Sequence, residues 1–239
     1  MRPWSGDRYD ALRLPHEQWG QRVVDTLELT GDELVADVGC GTGRDLSLLL
    51  DLLPAGRVVA VDASASMLER VHERFADDRR VTVVQADLHD PIPLPSGAFD
   101  AVMSVAALHW LRDHDTIWDR LATLLRPGGQ LAVECGGAGN IARVVSAVEQ
   151  VSGKAAVPRW TFAGAEETAE RVRAAGLVDV EVVERASPVR FPAAARLVDY
   201  LQTLALHDLP RPVLNQVADV MSDLTVDYVR LEVRARRGR

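Results

Sequence analysis

Short apolar runs alternate with helical periodicity along most of this 239-residue chain, and no other feature restricts its fold as much. The runs at 34–38, 57–61, 81–85, 99–104 and 130–134 are rich in Val, Leu and Ala. Helical stretches at 45–53, 66–75 and 115–125 separate them, and a helix at 165–175 feeds a sixth run at 178–183. Such alternation predicts an α/β fold with a doubly wound, mainly parallel sheet, because each parallel connection must cross a face of the sheet. Pro54-Ala55-Gly56 and Arg126-Pro127-Gly128-Gly129 supply stops. Ser66, with Glu69 three positions on, has the form of a capping box. The closing run, 226–235, alternates with Val229, Leu231, Val233 and Ala235 on one face. Period two over that length predicts a seventh strand at the sheet's end, antiparallel to its neighbour.

The segments 1–29, 136–162 and 188–225 lie outside this scheme and are expected to be helical or irregular covers for a sheet edge. With 27 Lys plus Arg against 35 Asp plus Glu, the net charge of −8 argues against a nucleic-acid duplex or an anionic membrane as main partner. Cys40 and Cys135, the two cysteines, cannot build a disulfide framework or a four-ligand zinc site. Lys154 is the single lysine, so lysine-based nucleophilic or general-base chemistry has almost nowhere to sit. No apolar run approaches the roughly 18 residues of a membrane span. The start, MRPWSGDRYD, carries no signal-peptide apolar region, so a reducing cytoplasm is the expected setting. The terminal Arg-Ala-Arg-Arg-Gly-Arg reads as a solvated basic tail.

The segment Asp37-Val38-Gly39-Cys40-Gly41-Thr42-Gly43-Arg44-Asp45 leaves a strand and opens a helix. Its glycines let a ligand approach backbone N–H groups at a helix start. The spacing fails the dinucleotide fingerprint: counting from Gly39 and Gly41 the third glycine is replaced by Arg44, and counting from Gly41 and Gly43 by Leu46. No lysine follows, which excludes the nucleoside-triphosphate loop. Asp37, two positions before the first glycine, would repel a phosphate and suits a cationic ligand. Asp62 ends the second strand, where a carboxylate can take both hydroxyls of a ribose. Asp87 follows the third strand, placed for an adenine amino group.

Together with Val61-Asp62-Ala63-Ser64 and Met67, Gln85-Ala86-Asp87-Leu88, Phe99-Asp100 and Leu125-Arg126-Pro127-Gly128-Gly129, this loop resembles the ordered motifs of class I S-adenosylmethionine-dependent methyltransferases. The resemblance implies a Rossmann-like seven-stranded fold with S-adenosylmethionine as cofactor. It implies that Gly39, Cys40, Gly41 and Gly43 hold the methionine part, with Cys40 a small filler and no nucleophile. Asp62 then takes the ribose, Met67 packs beside adenine, and Asp87 with Leu88 meets the adenine edge. Ala63 and Ser104 complete the expected cofactor set. The implied division is a lid segment at 1–30, a cofactor-binding core at 31–187 with an irregular insertion at 136–162, a helical substrate cap at 188–225, and the last strand with its tail at 226–239.

Ser104 to Leu111 contains Leu108-His109-Trp110, similar to a segment of the subgroup that includes trans-aconitate, juvenile-hormone-acid and malonyl-carrier-protein methyltransferases. That subgroup mostly esterifies carboxylic acids. A carboxylate acceptor is ionised at neutral pH and needs no base, whereas a hydroxyl does better with one. His109 is accordingly the candidate catalytic residue, as an orienter of a carboxylate or a base for a hydroxyl; it can equally bond backbone and only shape the site. Trp4, Tyr9, His109, Trp110 and Tyr200 are the candidate substrate contacts, and Arg190 and Arg196 are further candidates for gripping an acidic group. Most of the large rings are expected in the covering segments, with Phe75, Phe99 and Tyr228 away from the acceptor side. The expected activity is methylation of a small molecule on oxygen. Two alternatives stay open: a non-methylating reaction such as a cyclisation, or a cofactor-binding regulatory subunit. The oligomeric state is not legible.

Overall fold

The computed structural model describes residues 6–10, 17–154, 160–204, 206 and 208–239. The chain begins with α1 (Gly6–Asp10) and α2 (Glu17–Val24), then β1 (Leu34–Val38), α3 (Leu46–Leu52), β2 (Arg57–Asp62), α4 (Ala65–Arg74) and β3 (Val81–Gln85). There follow β4 (Phe99–Val105), a 3₁₀ turn (Leu108–Trp110), α5 (His114–Leu124), β5 (Leu125–Gly136), α6 (Ala142–Ser152), α7 (Ala165–Ala174) and β6 (Leu177–Ala186). Last come β7 (Val189–Arg190), α8 (Ala194–Thr203), α9 (Arg211–Val220), β8 (Thr225–Val226) and β9 (Val229–Arg237).

Seven strands form one sheet in the order β3-β2-β1-β4-β5-β9-β6. β1 to β5 are parallel, and β9 runs antiparallel to both of its neighbours. β1 pairs with β2 on one side and β4 on the other, so the strand order reverses there. In such sheets the ligand crevice opens outside the carboxyl ends of the strands at that reversal. Val35, Ala36 and Val38 are buried on both faces of the sheet, as a central parallel strand requires.

Several expectations are corrected. The final strand does not close the sheet; it lies between β5 and β6, and β6 forms the edge. It starts at Val229, because Val226 belongs to a separate two-stranded ribbon of β7 and β8. The basic tail is largely strand: Arg236 pairs with Glu28, and Arg237 donates to the Ala175 carbonyl. The helix after β2 takes Ser64 as its N-cap, and Ser66 lies inside the first turn, so no capping box forms there. The 136–162 segment contains α6. Trp118 is buried in the main core beneath α5, and Tyr228 packs edge-on against Trp19 with centroids 5.1 Å apart, in the covering layer.

That covering layer joins pieces far apart in sequence. Leu197 and Leu201 of α8, Leu214 and Val217 of α9, Val144 of α6 and Trp19 of α2 share one apolar cluster. A fully buried Leu or Val contributes about 1.5–3 kcal/mol. The shared cluster therefore packs α2, α6, α8 and α9 into one layer.

Candidate functional site

The loop after β1 turns on glycine. Gly39 has φ +80 and a Cβ there would lie 2.3 Å from the Ala107 Cβ, so only glycine lets β4's exit pass this closely. Its N–H and that of Cys40 both donate to the Val61 carbonyl, which folds the loop back over the end of β2. Gly41, at φ +55, has no atom within 4 Å of where its Cβ would stand. Above it opens a cavity of ≈ 180 Å³ lined by the loop, Tyr9, Arg44, Asp45, Val105 and Ala106. Ala106 holds a left-handed φ of 56 and its N–H donates to the Glu134 carbonyl. Strain of this kind at a strand's carboxyl end is sustained only where surrounding contacts fix it.

The expected cofactor residues converge at the carboxyl ends of four neighbouring strands. Asp62 accepts from Gly41 N–H through Oδ2 and from Ser64 N–H through Oδ1, each over 2.9 Å. Burial raises its pKa against these backbone donors. Two N–H bonds leave lone pairs on both oxygens for a diol. Ala63 is exposed, and its carbonyl accepts from Gln85. Met67 is buried in the first turn of α4. Asp87 is exposed and lowered in pKa, chiefly by the His89 N–H it accepts. Leu88 is buried beside it.

Asp37 and Ser104 of that set sit behind the cavity wall, whereas Cys40 is part of its lining. Asp37 is 2% exposed, its Oδ2 has no hydrogen-bond partner, and burial with Asp45 and Asp62 nearby holds its pKa well above the carboxylate range. Ser104 is fully buried and donates Oγ to the Val38 carbonyl over 2.7 Å, pinning β1 to β4. The Cys40 thiol is pushed well up by burial, which keeps it protonated and unreactive.

His109, the candidate catalytic residue, is 8% exposed within the 3₁₀ turn. Gly136 N–H donates to its Nδ1 over 3.3 Å, so in the neutral ring Nε2 carries the proton. Burial, with the charge of Arg230 adding, holds its pKa well below 6.5. Its ring lies 5.4 Å from Trp110 and 5.9 Å from Phe162. Trp160 stacks on Phe162 at 12° and 5.7 Å, and Thr161 N–H donates to the His109 carbonyl. The 136–162 insertion is thus strapped onto the Leu-His-Trp turn.

Tyr9 lines the cavity, its ring 4.9 Å from the Arg44 guanidinium and its hydroxyl pushed by burial to about 12. Tyr200 is buried in the covering layer with its hydroxyl bonded to that of Tyr228, apart from the loop cavity. Arg190 and Arg196 are exposed. Trp4 lies outside the described residues.

Sequence reasoning missed Asp10, Asp45, Glu134 and Arg230. Asp10 accepts from Thr42 Oγ1 over 2.7 Å and meets Arg44, Arg70 and Arg74, clasping α1 over the loop. Arg230, 1% exposed, donates Nε to the fully buried Glu134 over 3.0 Å and stacks 3.8 Å above Trp19. The sole sequence signal for Arg230 was a charge heading an otherwise alternating strand.

Comparison with known proteins places these features. Residues 35–129 match the family model described as a methyltransferase domain. A trans-aconitate 2-methyltransferase of Paracidovorax citrulli is 31% identical over 134 residues, 56% of this chain and 50% of that protein. An uncharacterized methyltransferase of Mycobacterium bovis is 39% identical over 132 residues, 55% of this chain and 59% of that one. The matched stretch spans about half the length of the trans-aconitate relative. Among solved structures, the YcgJ protein from Bacillus subtilis superimposes with a TM-score of 0.68 at 14% identity, covering 94% of this chain and 100% of that one. That likeness bears on the fold alone.

Proposed function

From the match of residues 35–129 to a methyltransferase-domain model, we propose that this stretch is a class I S-adenosylmethionine-dependent methyltransferase domain and that the whole chain methylates an oxygen of a small molecule, either a carboxylate or a hydroxyl. The cofactor fits the residues present: open space over Gly41, a β2-end carboxylate in Asp62, and the Asp45 carboxyl on the cavity wall, which suits a cation when ionised. When bound, S-adenosylmethionine supplies an electrophilic methyl group on a sulfonium.

The observation that carries the oxygen reading is the Gly136–His109 hydrogen bond. With Nδ1 occupied and the ring held neutral, His109 offers an Nε2–H donor. A donor orients an acceptor that is already an anion, and such an acceptor needs no base. Alignment of the reacting atoms is then the main contribution of the protein. Rings from Trp110, Trp160 and Phe162 around His109 suit an apolar acceptor body. The relative named for trans-aconitate, itself a small carboxylic acid, supports the same class. The net charge of −8 favours a small-molecule partner over nucleic acid or an anionic membrane. Among the described residues no helix is long and apolar enough to cross a membrane.

The test is a mass-spectrometric screen of carboxylic acids, phenols and alcohols with isotopically labelled donor. A product heavier by one labelled methyl in place of hydrogen, on oxygen, is expected. An isobaric product would mean rearrangement, and no product from any acceptor despite cofactor binding would favour a regulatory subunit.

A further inference from the structure

Asp45 stands at the start of α3 and lines the cavity beside Gly41 and Arg44. Aspartate is a preferred helix N-cap because its carboxylate can accept the first free N–H groups. Here it accepts none of them, and among the described residues its carboxylate receives no hydrogen bond. α2 makes room for it: a Cβ on Gly20 would fall 1.9 Å from Asp45 Oδ1. Glycine inside a helix costs about 0.5–1 kcal/mol relative to alanine. The fold thus keeps an unfavourable helix residue to accommodate an unpartnered carboxylate at a cavity wall. Behind it lies the unpartnered Oδ2 of Asp37.

We infer that Asp45 receives the α-ammonium group of the cofactor's methionine part. The inference rests on the reading of this cavity as the S-adenosylmethionine site. It adds a side-chain ligand to a loop otherwise expected to bind through backbone. It also makes cofactor capture pH-dependent. Burial pushes the Asp45 carboxyl up to about 6, with Arg44 opposing and Glu134 adding. The titratable groups around it are Arg44, Cys40 and Asp37 from the first loop and strand, the last two held protonated by burial, with Asp62 at the end of β2 and Glu134 on β5, while Tyr9 faces it from α1 and α2 brings the uncharged Gly20. The ammonium stays charged across the range, so ionisation of Asp45 sets the ion pair, and affinity falls as pH drops through about 6.

The experiment is calorimetric titration of S-adenosylhomocysteine and of 5′-methylthioadenosine, which lacks the amino-acid end, into wild type and the isosteric Asp45→Asn. At pH 7.5 the variant should bind S-adenosylhomocysteine at least about tenfold more weakly and methylthioadenosine as wild type does. At pH 5 the difference should vanish. The apo variant should melt no lower than wild type at pH 7.5, because a buried carboxyl with a raised pKa destabilises the fold when ionised. S-adenosylhomocysteine affinity within twofold of wild type at pH 7.5 overturns the inference and leaves the cofactor reading standing. Equal losses for both ligands also overturn it, since Asp45 would then act only by shaping the loop. If wild type binds neither S-adenosylmethionine nor S-adenosylhomocysteine at any pH, the cofactor reading itself fails and the inference with it.

Discussion

Thr42 Oγ1 donates to Asp10 Oδ1 over 2.7 Å, which bonds a five-residue helix directly to the loop beneath the candidate cofactor cavity. The same carboxylate meets Arg44 at 3.5 Å, Arg70 at 3.3 Å and Arg74 at 3.2 Å. Helix α1 is too short to hold itself together in water, so its position depends on this clasp and on the Tyr9 ring against Arg44. Asp10→Ala should therefore weaken S-adenosylhomocysteine binding about tenfold, or ~1.4 kcal/mol, while lowering Tm only slightly. Titration calorimetry checks the first and thermal denaturation the second. Burial acts to raise the Asp10 pKa, but Thr42 and the three arginines outweigh it and the net shift is downward. A depressed carboxyl stabilises above its unfolded pKa and loses that contribution as pH falls through the folded value. Hydrogen exchange of residues 6–10 should accordingly quicken, after correction for intrinsic rates, at the acid end of the carboxylate range.

Asp62 serves the loop as well as any ligand. Asp62→Ala frees Gly41 N–H and Ser64 N–H together, and hydrogen bonds to a charged group are worth about 1.5–3 kcal/mol each. S-adenosylhomocysteine affinity should fall by a factor on the order of 100. Asp62→Asn, which keeps an acceptor, should lose less. Undiminished binding in Asp62→Ala would remove this residue from the cofactor site.

His109 can be dissected by two amides. Asn places a polar atom near Nδ1 and can still accept from Gly136, whereas Gln places its N–H near Nε2. If the ring is a donor to the acceptor, His109→Gln should retain turnover and His109→Asn should lose about 10²-fold, within the range for positioned polar groups in catalysis. Because the ring is held neutral well below pH 6.5 by burial, kcat should show no histidine inflection between pH 6 and 8. An inflection there, with both variants inactive, would instead identify a base. The measurement is kcat against pH with whichever acceptor the screen returns.

Glu134 and Arg230 form a pair with almost no solvent contact. Glu134 also accepts from Arg22, so removing Glu134 is the change that strands a buried charge, Arg230, at about 3–5 kcal/mol. Glu134→Gln should lower Tm by roughly 10 °C in a domain of this size. The double variant Glu134→Leu with Arg230→Met should recover much of that loss. Denaturant unfolding of the three proteins decides it.

Sheet, helices and the turn of the glycine loop were legible because each depends on local pattern. β1 reads as a strand since both of its faces are buried, and Gly39, Gly41 and Asp62 announce themselves by residue type at strand ends. The acceptor half was not legible in this way. Phe162 meets His109 and Trp160 meets Trp110 only because the chain folds back about fifty residues later, a long-range closure that no local period records. Arg230 reads as one of the polar positions of an alternating strand, and its burial follows from Trp19 and Glu134, both far upstream in the chain. Asp45 was hidden for a different reason: aspartate at a helix start is ordinary, and only the glycine opposite it shows that it is not capping.

The place of β9 in the sheet has a temporal meaning. Among the described residues β6 pairs with β9 alone, and α8, α9 and the small ribbon are all made between the two. On a ribosome adding about 5–20 residues per second, β6 must wait several seconds with a bare edge carrying exposed Val178 and Val183. The nascent chain is most exposed to aggregation during that interval, after β1 to β5 are complete and before β9 has emerged.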